Sequence, residues 1–193
     1  MSTSNRTCTK TSWVFSITEA RNAVSKALCL ETDRVILRAM QQYHKQVYTE
    51  LYTSKELLRY VMTPLTLQRA EASFHQAIKM NTVTPWQRLF LVIEDKQSLQ
   101  PLGLVGLSSA DWVDRSVEFG ILLQKHAQGV GLSGEVLQVV LQSLFTVFSM
   151  RLVWLQLHKD NIAAVRMAKR AGMVLHYDGV SSTQQIWLKT NNN

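Results

Sequence analysis

Three glycines within seven residues constrain the fold of this chain more than any other feature of its sequence; they lie in Gln128-Gly129-Val130-Gly131-Leu132-Ser133-Gly134. The segment follows a continuous apolar run at residues 119–123, which predicts a buried strand. From Glu135 onward, apolar residues recur at helical spacing. We therefore predict a strand, a tight turn and a long, largely buried helix.

This glycine-rich segment has the composition of a phosphate-binding loop. Glycines allow a ligand to approach backbone N–H groups closely, and the following helix adds the positive end of its dipole. A turn that binds nothing is the alternative. The segment is not a Walker loop, because it ends in Ser133-Gly134-Glu135 instead of Gly-Lys-Ser/Thr, and it lies too late in the chain for a dinucleotide-binding fold.

A second strand and helix are predicted directly after this unit. Residues 151–157 are typical of a strand, and Asn161 precedes a short helical pattern at Ile162–Arg170. Gly172 is placed as the helix stop.

In three places the chain resembles the GNAT N-acetyltransferases, and among them the RimJ/RimL-like branch. Gln128-x-x-Gly131-x-Ser133 is similar to the family's pyrophosphate loop, Q/R-x-x-G-x-G/A. Asn161, followed by a helix and Lys169-Arg170-Ala171-Gly172-Met173, is similar to the N-x-x-S segment that runs into K-x-G-F. Residues 30–38, LETDRVILR, resemble the first strand of that branch.

The resemblance implies an α/β (α+β) fold with a mixed, mostly antiparallel central sheet, splayed at the cofactor and flanked by helices. It implies acetyl-CoA as acyl donor and a primary amine as acceptor, with a protein or peptide N-terminus as the family default. A small-molecule amine, such as an antibiotic or metabolite, and aminoacyl-tRNA are the other acceptors considered. A non-catalytic acyl-CoA-binding regulatory module is the alternative from another class.

The resemblance also assigns cofactor-binding residues. The backbone of Ile121, Leu122 and Leu123 would pair with the pantetheine arm and help to polarise the thioester. The segment from Gln128 to Gly134 would hold the pyrophosphate, and Asn161 would open the second cofactor-side helix. The full predicted set is Ile121, Leu122, Leu123, Gln128, Gly129, Val130, Gly131, Leu132, Ser133, Gly134 and Asn161. No metal ligand is predicted.

Glu118 is the predicted general base, because it precedes the cofactor strand among apolar neighbours. A structural hydrogen-bond acceptor is the competing interpretation, and His158 is the second candidate base. The family's usual acids are missing: its tyrosine position is Ala168 here, and its serine position is Ala164. Tyr177 or water could protonate the leaving thiolate instead.

Composition indicates a globular protein of 193 residues, with 46% hydrophobic and 18% charged residues. We predict a partly mobile N-terminal extension at residues 1–29 and an acetyltransferase domain at residues 30–193. With neither a secretory signal nor a membrane-length apolar run, we expect a cytoplasmic monomer or homodimer. The net charge of +7 favours phosphorylated partners in general, but no dense basic run indicates a nucleic-acid-binding protein.

The remaining pattern predicts helices before and after Pro64, which is expected in the first turn of the second one. A meander follows, with strands at residues 88–94, 101–108 and Ser116–Leu123. A final hairpin is predicted at residues 174–177 and 185–189.

Overall fold

A computed structural model of the chain describes residues 28–178 and 183–191. The predicted N-terminal extension therefore lies outside the described residues, except for Leu28 and Cys29, as does part of the turn in the last predicted hairpin.

One eight-stranded sheet runs through the molecule in the order β1-β2-β3-β4-β5-β6-β8-β7. Every neighbouring pair is antiparallel except β5 and β6, which are parallel. The prediction of a mixed, mostly antiparallel sheet is thus confirmed. The strands are β1 Cys29–Glu31, β2 Val35–Ala39, β3 Leu89–Asp95, β4 Pro101–Asp111, β5 Ser116–Leu123, β6 Leu152–His158, β7 Val174–Asp178 and β8 Gln184–Thr190.

In the part of the chain that the structure describes, four α-helices cover the two faces of the sheet: α1 Lys45–Thr53, α2 Leu67–Met80, α3 Leu132–Thr146 and α4 Ile162–Arg170. Side chains alternate along a strand, so the sheet contributes to two apolar clusters. The larger cluster joins Leu91, Val105 and Phe119 to α3 and α4. The smaller one joins Val92 and Leu104 to α1 and α2. Among the described residues, no helix has the length and apolar content that crossing a bilayer requires.

Helix α3 begins at Leu132, three residues before the start expected at Glu135. Gly131 is the N-cap residue in the left-handed conformation, with φ of 79°, so the chain enters the helix directly from the glycine turn. Ser133 and Gly134 consequently belong to the first turn of the helix and not to the preceding loop.

Two other element boundaries differ from prediction. Residues 30–38 form two strands, because the Thr32 hydroxyl accepts the N–H groups of Arg34 and Val35 and closes a turn. Pro64 lies before α2 instead of in its first turn; the N-cap is Thr66, whose side chain accepts the Arg69 N–H at 3.3 Å.

Candidate functional site

The sheet opens between its two parallel strands. Registered pairs join β5 to β6 at only three positions, the last being Glu118 with Trp154. Beyond them β5 continues to Leu123, paired with β4 alone, and β6 continues to His158, paired with β8. Alternate backbone groups of the second half of β5 therefore face a gap instead of a neighbouring strand.

Two helix N-termini follow the strands that border this gap. Helix α3 follows β5 and has Gly131 as its N-cap residue, and α4 follows β6, where the Asn161 side chain accepts the Ala164 N–H at 3.2 Å. The first N–H groups of a helix have no intrahelical partner and carry partial positive charge. Gly129 and Gly131 both have φ of 79°, and a Cβ at either would meet no atom within 4 Å, so the turn is open to a ligand.

Side chains brace the glycine turn from two sides. Gln128 donates its amide to the Leu123 carbonyl at 3.0 Å, which ties the turn to the end of β5. Arg34, in the turn between β1 and β2, donates to the Val130 carbonyl at 3.0 Å and to Glu135 Oε2 at 2.7 Å. Thus Gln128 supports the predicted loop through its side chain, and Arg34 is a contributor that local sequence patterns did not reveal.

The contact with Arg34 helps to hold the Glu135 carboxyl group in its charged form. Burial alone would raise its pKa, but hydrogen bonds from Thr32 and Arg34, together with the Arg34 charge, outweigh burial and hold the pKa of Glu135 below its ordinary value. A carboxylate in the first helical turn also interacts favourably with the helix dipole.

The gap between the strands contains a cleft of about 270 Å³, which we call the inter-strand cleft. Its walls come from β5, β6 and α4, and Tyr60 and Val61 close it from the segment that connects α1 to α2. The lining residues are Tyr60, Val61, Glu118, Phe119, Gly120, Ile121, Leu155, Gln156, Leu157, His158, Asn161, Ala164, Met167 and Gln184.

A second cleft of about 240 Å³ lies on the sheet face that carries α1 and α2, and we call it the sheet-face cleft. Gly106 of β4 and Gly120 of β5 are paired across its floor, so no side chain rises there. Its lining residues are Tyr52, Val61, Met62, Arg88, Phe90, Leu104, Gly106, Leu107, Ser108, Glu118, Gly120, Ile121 and Leu122.

Glu118 lines both clefts and so lies where they meet. The Ser108 hydroxyl donates to Glu118 Oε2 at 2.8 Å, and the Ser109 hydroxyl lies 3.5 Å from the same oxygen. The apolar neighbours expected around the Glu118 carboxylate do not surround it in the structure. Val117 and Phe119 pack in the larger core on the opposite face, as alternation along a strand requires, and the nearest polar partner is a serine.

Three aromatic side chains add polar groups to the clefts. Tyr60 and His158 lie side by side in the inter-strand cleft, with ring centroids 5.2 Å apart. Tyr52 lines the sheet-face cleft, where burial, reinforced by Tyr48, raises the pKa of its hydroxyl. A phenol with a raised pKa stays protonated at neutral pH, so Tyr52 can donate a hydrogen bond but is no base.

The other predicted residues divide into three groups. Ile121, Leu122 and Asn161 line one or both clefts. Leu123 and Leu132 are buried in the larger core, so only their backbone groups are available to a ligand. The third group consists of Gln128 to Gly131 in the turn and of Ser133 and Gly134 in the first turn of α3; it lines neither cleft and follows the end of β5.

The residues considered as proton donors are also placed. Ala164 lines the inter-strand cleft, whereas Ala168 is fully buried, so a tyrosine would not fit at that position without moving the core. Tyr177 is 52% exposed on β7 and lines neither cleft. Among the described residues, no group of three His, Cys, Asp or Glu side chains could hold a metal ion.

Sequence reasoning did not select Tyr52, Tyr60 or Arg88 for the site. All three come from segments far from the glycine turn in sequence, and each is separated from Glu118 by at least two elements of the fold. A third tyrosine before Pro64, Tyr48, is by contrast a core residue at 2% exposure.

Comparison with known proteins identifies the architecture. Residues 34–174 match the family model described as acetyltransferase (GNAT) domain. The spermidine N(1)-acetyltransferase of Vibrio cholerae is 28% identical over 88 residues, which are 46% of this chain and 50% of that enzyme. The chain thus matches about half the length of this curated relative.

Solved structures share the fold at low sequence identity. The V. cholerae spermidine N-acetyltransferase in complex with CoA and spermine has a TM-score of 0.71 and 22% identity, covering 81% of this chain and 94% of that one. The ribosomal-protein-S5-alanine acetyltransferase of Vibrio fischeri has a TM-score of 0.71 and 13% identity, covering 86% and 98%. With the family model matched over most of the chain, the fold, its parallel-strand gap and its glycine turn establish that this protein belongs to the GNAT acetyltransferase family.

Proposed function

We propose that this protein is an acetyl-CoA-dependent N-acetyltransferase that acetylates a primary amine, with Glu118 as general base. The observation that carries the proposal is the position of Glu118 at the junction of the two clefts. The inter-strand cleft would hold the acetyl end of the donor, and the sheet-face cleft would hold the acceptor. The two substrates would then meet beside one carboxylate.

The residues present fit acetyl-CoA. The glycine turn and the N-terminus of α3 offer backbone N–H groups to the pyrophosphate, and the free edge of β5 offers hydrogen-bonding groups to the pantetheine amides. In the V. cholerae relative the same fold is found in complex with CoA. When bound, the donor supplies an activated acetyl thioester.

The step assigned to Glu118 is removal of a proton from the acceptor ammonium, directly or through one water, to give the nucleophilic amine. Ser108, which donates to Glu118 Oε2 at 2.8 Å, fixes the orientation of the carboxylate and leaves the other oxygen for the amine. The same contact fits the alternative, purely structural role for Glu118, so substitution is needed to decide between them.

Tyr60 and His158 are proposed to supply the proton that the departing thiolate takes up. Both side chains line the cleft assigned to the acetyl end of the donor, and they replace the absent tyrosine and serine of α4. The proton source would therefore come from the segment before α2 and from the end of β6. Tyr177 has less support for this role, because it is 52% exposed and lines neither cleft.

The acceptor is proposed to be a small-molecule amine. The sequence resemblance favoured a protein N-terminus, but a sheet-face cleft of about 240 Å³ suits a small molecule, and the curated relative is named as a spermidine acetyltransferase. Aminoacyl-tRNA has no support beyond the net charge of +7.

The test is steady-state acetylation of a broad panel of primary amines by wild type, Glu118→Gln and Glu71→Gln. Glu71 of α2 pairs with Lys45 of α1 at 2.8 Å and lines neither cleft, so it serves as the matched control. We expect Glu118→Gln to lower kcat/KM by about 10²- to 10⁴-fold while acetyl-CoA binding is kept. An unchanged rate in Glu118→Gln would remove Glu118 as base. Donor binding without turnover of any amine by wild type would favour the non-catalytic acyl-CoA-binding module.

A further inference from the structure

The sheet-face cleft contains one positive and one negative side chain. Among the described residues that line it, Glu118 is the one carboxylate and Arg88 the one permanent cation. Glu118 stands on β5 at the junction with the inter-strand cleft, and Arg88 immediately precedes β3. The cleft therefore has a polarity, with the proposed reaction centre at its acidic side.

Arg88 has no counter-ion within the described part of the chain. The ion pairs formed by residues 28–178 and 183–191 do not include it. Its charge does reach the buried phenols beside the cleft, because it opposes the rise in the pKa of both Tyr48 and Tyr52. An unpaired guanidinium at the wall of a pocket is available to a ligand anion.

The wall between the two charges is apolar. Phe90, Leu104 and Leu122 contribute side chains, and Gly106 and Gly120 leave the floor free of side chains. This surface suits a short chain of methylene groups and offers few groups that would pair with additional polar atoms.

We propose that the acceptor is a small primary amine that also carries an anionic group, and that Arg88 is the specificity-determining residue that binds this group while the amine lies at Glu118. The inference rests on the proposed function of the same site. It separates this protein from an acetyltransferase of polyamines, because the second ammonium of a diamine would face Arg88 and be repelled.

Matched acceptors test the inference. The series consists of ω-amino acids of two to six carbons, their neutral amides and the diamines of equal length. Its members differ in the charge of the group distant from the reacting amine. O-Phosphoethanolamine tests a phosphate as the anionic group. We expect wild type to prefer the amino acid or the phosphate over the matched amide and diamine by roughly ten- to hundred-fold in kcat/KM, as for a charge-assisted contact.

Three variants assign the preference to Arg88. Arg88→Met should abolish the preference by raising KM for the anionic acceptor, with the amides little affected. Arg88→Glu should shift the preference toward diamines. Arg69→Met removes an exposed arginine of α2 that lines neither cleft, and it should behave like wild type.

The outcomes separate this inference from the proposed function. If wild type acetylates diamines or amides as well as the anionic acceptors, or if Arg88→Met keeps the wild-type preference, the inference is overturned and the acetyltransferase stands. If calorimetry shows acetyl-CoA binding but no amine of the series is acetylated, the acceptor class is overturned and the donor site stands. If acetyl-CoA does not bind, the proposed function fails, and the inference fails with it.

Discussion

Tyr60 is the residue whose placement most changes the chemistry expected of this chain. The centroid of the Tyr60 ring lies 5.2 Å from the centroid of the His158 ring, in the inter-strand cleft that we assign to the donor. It reaches this position from the connection between α1 and α2, whereas the family resemblance directed attention to α4, where Ala164 and Ala168 carry no acidic group.

Tyr60→Phe removes the hydroxyl and keeps the ring that packs beside His158. We expect kcat to fall by about tenfold or more with KM for acetyl-CoA unchanged, because the proton is needed only as the thiolate departs. Steady-state kinetics with varied acetyl-CoA measures both constants. Tyr43→Phe, at a tyrosine 63% exposed and outside both clefts, is the control. Equal kcat values in Tyr60→Phe and wild type would contradict a role for the Tyr60 hydroxyl in protonating the thiolate.

At the residue scale, the sequence-based site predictions rest on local patterns. Glu118 could be selected because it immediately precedes the apolar run at residues 119–123, and the glycines because a turn into a helix requires them. Tyr60 and Arg88 could not be selected. Their proposed roles depend on which side chains meet at the clefts, and tertiary packing sets this, not spacing in the chain.

Among the elements, the hairpin of β1 and β2 has a role beyond extending the sheet. Its turn residue Arg34 contacts both the Val130 carbonyl and Glu135, so the first hairpin holds the glycine turn in place. The sequence showed Arg34 only as part of a strand-like motif, because its partners follow about a hundred residues later in the chain.

Arg34→Met should loosen the glycine turn and raise KM for acetyl-CoA several-fold, with kcat little changed. The stability loss at pH 7 should be under about 1 kcal/mol, because the guanidinium is half-exposed. Lys96→Met is the matched control: the Lys96 ammonium pairs with Glu31 and donates to the Thr32 carbonyl of the same hairpin, each at 3.1 Å, and bonds to neither Val130 nor Glu135. Equal KM values in the two variants would contradict the bracing role of Arg34.

The Arg34 contribution to stability should also depend on pH. The folded protein lowers the pKa of Glu135 below its ordinary value of 4.5, so this stabilisation is present above that value and is lost as the pH falls through the lower folded pKa. Urea unfolding at pH 7 and near pH 3.5 should therefore show a smaller difference between wild type and Arg34→Met at the lower pH. A difference that grows on acidification would contradict this assignment.

Strand β4 contains a glycine, Gly103, at a position where the neighbouring strand β5 leaves no room for a side chain. A Cβ at Gly103 would lie 2.3 Å from the Leu122 carbonyl oxygen, so Gly103→Ala must displace β4 from β5. We expect a loss of about 1–3 kcal/mol in chemical denaturation. Gly106→Ala is the control, because its Cβ would meet only the Phe90 ring at 3.8 Å. A Gly103→Ala variant as stable as Gly106→Ala would contradict the close approach of the two strands.

For the molecule as a whole, element order and sheet class followed from the sequence. Periodicity predicted α4 and β5 with their observed limits, and the mixed sheet followed from the family resemblance. Boundaries set by hydrogen bonds did not follow: the left-handed Gly131 starts α3 earlier, and the Thr32 hydroxyl divides the first strand. The resemblance implied the opening between β5 and β6, but the lining of the sheet-face cleft could not be predicted, because Tyr52, Val61 and Met62 reach it only through packing over the sheet.

The central claim is that the glycine turn and the N-terminus of α3 bind the phosphates of acetyl-CoA. Gly134 is the best position for a test, since it lies inside the first turn of α3, has no left-handed φ, and a Cβ there would meet no atom within 4 Å. Substitution at Gly131, where φ is 79°, would strain the backbone as well. Gly134→Ala and Gly134→Glu therefore make the same backbone change and differ only in the longer side chain and its negative charge.

Calorimetric titration of acetyl-CoA into wild type, Gly134→Ala and Gly134→Glu is the most direct measurement. We predict one-site binding by wild type and by Gly134→Ala, and binding at least about tenfold weaker by Gly134→Glu, because the carboxylate would repel the pyrophosphate. Absence of binding by wild type, or equal affinity in Gly134→Glu and Gly134→Ala, would contradict the assignment of this turn as the phosphate site.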